Sequence, residues 1–357
     1  MQLFPFREVT PKSSLIESMQ EAILHTLTRF QRKPVESQPS AFELLDQRLS
    51  AGGSNVEAGV IGFWHGLLDK TKALVGWDDP EFHQEAIGYE KFLELLNRLN
   101  PVVEEFSKVC YRCASYKSLP ALTELYRGFA ELALMGDLPE EHTGNVHSNN
   151  YDAFRFVGHE MFTTFVAAML KYECWNALAS DFWSEDWGVY QRHRLAMDHT
   201  TAFSRNTQIL GRPQKESRRL SLRTDLLSDR HKPGGPLAKA CPFLEFQAGD
   251  LFLLMRHIAQ SSPQQGYNPS RWVPWSCALA KELPPFLTRA ATKTNAHNLA
   301  NALGVAGPER LKEVINDSAD ILARWFQTPL DYGPELAHQM KNAEIATRGA
   351  DPAFDAF

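Results

Sequence analysis

The stretch GHEMFTTFVAAML, residues 158–170, belongs to the most strongly helical segment of this 357-residue chain, which extends from about residue 152 to residue 180. Successive residues of an α-helix are about 100° apart. At that spacing the apolar side chains share one stripe: Phe154, Val157, Met161, Phe162, Phe165 and Met169. Helical periodicity recurs through the chain, and FLEFQ (243–247) is the only brief strand candidate. The sequence therefore predicts an all-α, multi-helix fold with little or no sheet.

His159 and Glu160 begin like the zinc-protease signature HExxH, but Thr163 stands where the second histidine would be. Such a site needs two imidazoles one helical turn apart. We therefore expect His159, at the edge of the stripe, to hydrogen-bond locally and Glu160, outside it, to be solvated or paired. Cys110 and Cys113 have CxxC spacing, but no second pair supplies further ligands, so they are interpreted as ordinary helical cysteines. No metal and no cofactor are predicted.

The other helices suggest either a bilobed protein or a solenoid-like array of helix pairs. Three interior glycines in residues 55–76 predict close approach to another helix. The DPE sequence at 79–81 predicts the start of a helix, and Pro101 predicts the start of the next. Asp250 is expected to cap the helix LFLLMRHIAQ that follows it.

One polar segment without periodicity, GDLPEEHTGNVHSNNYD (136–152), is typical of a linker. It divides the chain into a predicted N-terminal helical region, 1–140, and a C-terminal helical region, 150–330. Residues 333–357 are weakly patterned and are predicted to form a weakly structured tail.

Composition indicates a cytoplasmic globular protein. The hydrophobic fraction is 43% and the charged fraction 22%, which is ordinary for a globular chain. Five scattered cysteines favour reduced thiols, the N-terminus does not resemble a signal peptide, and the apolar runs are too short to cross a membrane. The net charge of −6 disfavours broad contact with nucleic acid.

The main charge cluster is GRPQKESRRLSLRTDLLSDRHK (211–232). Lys215, Arg219 and Arg223 recur every four residues, with Arg218 beside them, so one helical face would form a cationic ridge. The ridge is either paired with acidic residues or used to bind an acidic protein surface, a nucleotide or RNA phosphate.

Tryptophans form two further groups, Trp183 with Trp187 and Trp272 with Trp275. Tryptophans clustered in this way mostly pack in the core or between helices. The alternative is a groove for a partner, because tryptophan is enriched where proteins bind each other.

Arg194 and His199 have the RxxxxH spacing of HEPN-type ribonucleases, which are all-helical. That resemblance implies a dimer in which the histidine acts as acid and base and the arginine stabilises phosphate charge. This chain has Leu195 where the common pattern has a polar residue. The alternative interpretation is a surface turn with solvated side chains.

Three segments, FVGHEMFTTFVAAMLKYECWNALASDFW, SRRLSLRTDLLSDRH and FLEFQAGDLFLLMRH, together resemble a helical region of uncharacterised bacterial proteins. Some of those proteins carry a Toll/interleukin-1-receptor-type (TIR) domain and look like immune or antiphage components. The resemblance covers roughly residues 150–315. It implies the helical sensing or assembly part, without the NAD-cleaving α/β domain.

These observations favour a non-enzymatic helical sensor or regulatory scaffold that binds another protein, as a monomer or a homo-oligomer, in a bacterial antiphage system. The first alternative is a HEPN-like ribonuclease that uses Arg194 and His199. The second is nucleotide or nucleic-acid binding through the basic segment at 212–223.

Overall fold

The computed structural model describes residues 41–51, 55–79, 82–83, 86–136, 147–185, 187, 189–190, 195–196, 202–203, 207–216, 221–261, 272–326 and 333–348. Within these residues the fold is all-α, as the sequence predicts. The extended pairing there consists of two strands of two residues each and one isolated bridge between Thr292 and Arg348, so the expectation of little or no sheet is confirmed.

The α-helices are α1 Ala41–Ala51, α2 Val56–Val75, α3 Tyr89–Ser115, α4 Leu119–Met135, α5 Asp152–Lys171, α6 Trp175–Leu178, α7 Gly211–Glu216, α8 Leu222–His231, α9 Phe243–Gln260, α10 Pro285–Arg289, α11 Lys293–Leu303, α12 Gly307–Trp325 and α13 Gly333–Lys341. Short 3-10 helices span Ser148–Tyr151, Asp181–Ser184, Gln208–Leu210 and Trp275–Leu279. The strands are β1 Val189–Tyr190 and β2 Leu195–Ala196, which pair antiparallel.

Helix α5, which contains the opening stretch, lies at the centre of the protein. It packs against α3 and α9 most extensively and also against α4 and α6. Every residue from Asp152 to Leu170 is buried, including the polar ones. Of the two expectations for Glu160, solvated or paired, the solvated one is wrong, because helices from both halves of the chain cover α5.

Helix α3 corrects the expectation that Pro101 begins a new helix. It is one continuous helix of 27 residues that begins at Tyr89 and contains Pro101. Phe82 and His83 are helical, in agreement with the start predicted at 79–81, but residues 86–88 separate them from α3. Proline removes one backbone hydrogen bond and leaves the carbonyl four residues earlier without its donor. Both Pro101 and Asn97 are exposed, so water can reach that carbonyl. Buried apolar residues continue on both sides of the proline and keep the helix packed.

Helix α9 corrects two further expectations. FLEFQ (243–247) is its first part and not a strand. Asp250 lies inside the helix and does not cap it. At Gly249 the backbones of α9 and α5 come so close that an added Cβ atom would lie 2.4 Å from the Thr163 carbonyl oxygen. Only a glycine permits this approach.

The remaining helices extend the core on both sides of α5. On the α3 side, α2 packs against α1, α3 and α4. On the α9 side, α11 and α12 pack against α9 and each other, and α12 packs against α13. Helix α13 corrects part of the predicted weakly structured tail, since it buries Leu336, Ala337 and Met340.

The predicted linker falls mainly at 137–146, outside the described residues. The helices that flank it pack against each other, with α5 against α3 and α4. The division into two helical regions stays a prediction. No helix among the described residues is both long enough and apolar enough to cross a membrane.

Candidate functional site

The first cluster of functional side chains is buried beneath α5 and is centred on Glu160. Arg230 donates to both carboxylate oxygens of Glu160, at 2.7 and 2.8 Å, and His231 Nε2 lies 3.1 Å from Oε1. Burial by itself would raise the pKa of Glu160, but Arg230 and His231 hold it at about 2. Burial would lower the pKa of His231, but its hydrogen bonds with Cys241 and Glu160 raise it to about 9. The three groups form a charged, fully paired triad.

A second buried cluster surrounds Asp250. Its Oδ1 accepts a hydrogen bond from Trp272 Nε1 at 2.9 Å. Its Oδ2 accepts from the backbone N–H of Ser276 at 2.9 Å and from the hydroxyl at 2.7 Å. Burial raises the pKa of Asp250 to about 6 despite these donors. The ring of His159 stacks on Trp272 with 4.8 Å between centroids.

His159 is enclosed as well. Its Nδ1 lies 3.3 Å from the Phe203 carbonyl oxygen, and its Nε2 lies 3.8 Å from Asp250 Oδ1. Burial and the nearby charge of Arg223 place the pKa of His159 well below its ordinary value. His159 does make a hydrogen bond, but the partner, Phe203, is 44 positions away in the chain and not local as predicted. The position at a solvent boundary is wrong, because the side chain is 1% exposed.

Arg223 does not belong to a solvent-facing ridge. It is 3% exposed, and its guanidinium lies 5.8 Å from the ring centroids of both Phe156 and Trp275. Burial lowers its pKa to about 10, while the carboxylates of Asp250 and Asp152 act in the opposite direction. The predicted helix is also divided, since Lys215 lies in α7 and Arg223 in α8. The prediction that Arg223 contacts an acidic ligand at the surface is therefore wrong.

These core groups fix how the helices pack. Paired and hydrogen-bonded charges in a low-dielectric interior define one arrangement of the elements that carry them. They connect α5 to α8 through Glu160 and Arg230, and α9 to the Trp275–Leu279 turn through Asp250 and Ser276. A sequence pattern does not find such pairs, because their members are more than twenty residues apart in the chain.

The most accessible candidate site is a surface cleft of about 610 Å³, which we call the basic cleft. It lies where α1, the second half of α3, the end of α5 and the segment after α8 meet. Its lining consists of Phe42, Glu104, Lys108, Tyr111, Arg112, Ser115, Lys171, Tyr172, Lys239, Ala240 and Pro242. Four of these side chains are cationic and one is acidic, in a chain whose net charge is −6.

Three of the cations in the basic cleft have carboxylate partners. Lys108 lies 2.8 Å from Glu104, and Arg112 binds Asp46 through two nitrogens. Lys171 lies 2.7 Å from Glu245. The lysines and Arg112 are all at least two-fifths exposed at their side chains, so these pairs contribute little to stability and exchange readily for other anions.

Lys239 is the fourth cation of the basic cleft. It is exposed and makes no ion pair with any residue that the structure describes. Two tyrosines, Tyr111 and Tyr172, lie beside the cations with their ring centroids 6.4 Å apart. The Lys171 ammonium lies 5.2 Å from the Tyr111 centroid. Cations beside aromatic rings bind negatively charged groups and give them apolar contact area at the same time.

The predicted tryptophans belong mainly to the interior. Trp183 and Trp272 are 4% and 1% exposed, which confirms the core interpretation for both. Trp187 is half-buried against Tyr126, and Trp275 is half-buried beside Arg223. None of the four lines the basic cleft.

The other predicted site residues are not brought together. Lys215 is exposed on α7. Arg218 and Arg219, and the pair Arg194 and His199, lie outside the described residues, so the ribonuclease hypothesis stays a prediction. Cys110 and Cys113 are buried inside α3 as free thiols, as expected of ordinary helical cysteines. Among the described residues no three metal-binding side chains converge to hold an ion.

Sequence reasoning missed the basic cleft because its residues come from four separate segments. The one local signal was the spacing of Lys108 and Arg112 with Tyr111 on one side of α3. Comparison of this chain with known protein families, with curated proteins and with solved structures gives no match.

Proposed function

We propose that this chain is a non-enzymatic helical sensor and regulatory scaffold that binds another protein, and that the basic cleft receives an acidic segment of that partner. The observation that carries the proposal is the convergence of four cations and three aromatic rings on one open cleft. Arginine and tyrosine are enriched where proteins bind each other.

Charge supports an acidic partner. The chain as a whole is negative, at −6, so the basic cleft is a local region of opposite charge. Such a region attracts acidic surfaces, whereas the acidic faces of the same protein repel them. The cations are held on exposed side chains, and a partner's carboxylates can replace Glu104 or Asp46 without any rearrangement of the core.

The burial of the acid–base groups supports a binding role over a catalytic one. Glu160, His231, Asp250 and His159 are each 0% or 1% exposed and are enclosed by helices. A general acid or base must come within hydrogen-bond distance of its substrate. These four groups instead stabilise the packing of the core that supports the cleft.

The resemblance of three segments to helical regions of bacterial defence-type proteins gives the biological setting of the proposal. In that setting the chain acts in the cytoplasm and controls an effector protein encoded beside it. The helical chain then performs the recognition step, and its partner carries out the reaction.

The test is co-purification of the full chain with proteins encoded beside it, followed by titration calorimetry. Lys108→Glu with Lys239→Glu reverses two exposed cations of the cleft. We expect the affinity for the partner to fall at least about tenfold and to decline with added salt. Lys293→Glu with Lys312→Glu is the matched control, because Lys293 is exposed, the Lys312 side chain is 43% exposed, and neither lysine lines the cleft.

Two results would contradict the proposal. One is an unchanged affinity in the cleft variant together with a loss in the control variant. The other is cleavage of RNA by the purified chain alone, abolished by His199→Ala, which would instead establish the ribonuclease.

A further inference from the structure

A second pocket, of about 190 Å³, lies beside the basic cleft, and we call it the apolar pocket. It is formed by the end of α5, the start of α9 and helix α10. Its apolar walls are Ala167, Leu170, Leu244, Ala248, Pro285 and Phe286. Leu244 is 39% exposed although leucine is favourable to bury, which leaves apolar surface open to a ligand.

One side chain belongs to both cavities. Lys171 lines the basic cleft and the apolar pocket. Its partner Glu245 lines the apolar pocket and also accepts a hydrogen bond of 2.6 Å from Tyr111, which lines the cleft. The Lys171–Glu245 pair therefore separates a cationic chamber from an apolar one.

A second cation lies in the lining of the apolar pocket. Arg289 pairs with Glu173 at 3.1 Å, and the side chains are only about 30% exposed. Its Nη2 donates to the Leu170 carbonyl oxygen at 3.3 Å. Two cations therefore line the apolar pocket, Lys171 from α5 and Arg289 from α10. Each has further N–H groups that can donate to another carboxylate.

The size and spacing of the two cavities match a peptide. A volume of about 190 Å³ is below the ~300–1,000 Å³ of ordinary small-molecule pockets, and it holds a single apolar side chain. Ala167 in the pocket and Lys171, which also lines the cleft, are four positions apart, about 6 Å along α5. Residues i and i+2 of an extended peptide are separated by about 6.6 Å.

From this geometry, and resting on the proposed function, we infer that the partner's docking segment carries an apolar anchor residue with an acidic residue two positions away. The anchor side chain enters the apolar pocket. The acidic residue enters the basic cleft and binds Lys171 and Lys239. The two cavities therefore recognise an acidic–apolar pattern and not negative charge alone.

The experiment is selection of a phage-displayed random library of 12-residue peptides on the full chain, with counter-selection on the Lys108→Glu, Lys239→Glu variant. We expect enriched peptides to contain a leucine, methionine or phenylalanine two positions from an aspartate or glutamate. Replacing that anchor by serine in a synthetic peptide should weaken binding roughly tenfold or more.

A variant that fills the apolar pocket tests the location. Ala248→Leu should weaken the selected peptides to the affinity of their serine-anchor versions and leave the serine versions unchanged. Ala58→Leu, at an exposed position on α2, is the control. If Ala248→Leu does not fold by circular dichroism, Leu244→Glu gives the same test at an exposed position.

The outcomes separate the inference from the proposed function. Enriched peptides that are acidic without an apolar anchor would overturn the inference and leave partner binding at the cleft intact. No enrichment over the charge-reversed variant would contradict both. Binding of an RNA oligonucleotide in place of any peptide would also overturn both, and would favour the nucleic-acid alternative.

Discussion

Replacing Glu160 by Gln removes the central charge of the buried triad. The carboxylate is 0% exposed and has three close contacts, two from Arg230 and one from His231. Removing one member of a buried ion pair leaves its partner charged and uncompensated, which costs about 3–5 kcal/mol. The pKa of Glu160 is lowered from 4.5 to about 2, which at ~1.4 kcal/mol per unit corresponds to about 3 kcal/mol. Both routes predict a loss of roughly 3 kcal/mol or more in the free energy of unfolding.

The pH dependence of this contribution follows from the two pKa values. The folded-state pKa of Glu160 lies below its ordinary value, so its contribution is present above pH 4.5 and is lost as the pH falls towards about 2. The pKa of His231 is raised from 6.5 to about 9, so its contribution is present below pH 6.5 and is lost as the pH rises through about 9. The difference between wild type and Glu160→Gln should therefore be largest between pH 4.5 and 6.5.

Urea unfolding followed by circular dichroism at pH 5.5 and at pH 9.5 measures this difference. Glu94→Gln is the control, because Glu94 pairs with Arg98 and Lys91 on the surface of α3 and its side chain is 46% exposed. Its loss should be small, because exposed ion pairs contribute little to stability. A loss for Glu160→Gln no larger than that of Glu94→Gln would refute the reasoning, as would a loss that grows above pH 9.

Further predictions concern the close helix contact, the second buried cluster and the thiols. Gly249→Ala should lower the free energy of unfolding by about 1–3 kcal/mol, because the new Cβ atom meets the Thr163 carbonyl oxygen at 2.4 Å. Gly66→Ala should raise the free energy of unfolding by about 0.5–1 kcal/mol, since nothing lies within 4 Å of a Cβ atom at that position. If urea unfolding shows the same change for both variants, the close contact between Gly249 and Thr163 is contradicted. Ser276→Ala removes a 2.7 Å hydrogen bond to the Asp250 carboxylate and should cost about 1.5–3 kcal/mol at pH 8. The cost should be smaller at pH 4, where Asp250, with a pKa of about 6, is protonated, and a cost independent of pH would exclude the charged hydrogen bond. All five cysteines are buried: Cys110, Cys113, Cys174, Cys241 and Cys277. A thiol-reactive dye should therefore label the native chain slowly and label five thiols in denaturant. Rapid labelling of the native chain would contradict their burial.

Much of the candidate site could not be read from the sequence, for a geometric reason. The pattern at 211–232 placed Lys215 and Arg223 on one surface ridge, but the chain begins a new helix at Leu222 and turns Arg223 inward. The basic cleft was missed because Lys108, Lys171 and Lys239 are more than sixty positions apart. The order of charged residues along the sequence does not show which cations line the same cleft in the folded protein.

Local interactions made the class of fold predictable. The 3.6-residue period depends only on neighbours in the chain, and it correctly predicts an all-α protein with α5 as its main core helix. The interior glycines of α2 show the limit of that reasoning. They predict a close helix contact, yet Gly62 and Gly66 face open space and only Gly59 meets α1.

By itself, then, the sequence determined that the chain forms helices and that one begins near residue 152, although α5 ends at Lys171 and not near residue 180. The tertiary structure decided which helices surround that segment and so which of its polar side chains are buried. Glu160 looked like a residue on an outer face, and it became the centre of an ion-pair triad because α8 brings Arg230 and His231 against it. Periodicity arises from contacts between residues three or four positions apart, whereas pairing between α5 and α8 arises from residues seventy positions apart. A one-dimensional pattern carries the first kind of information and not the second.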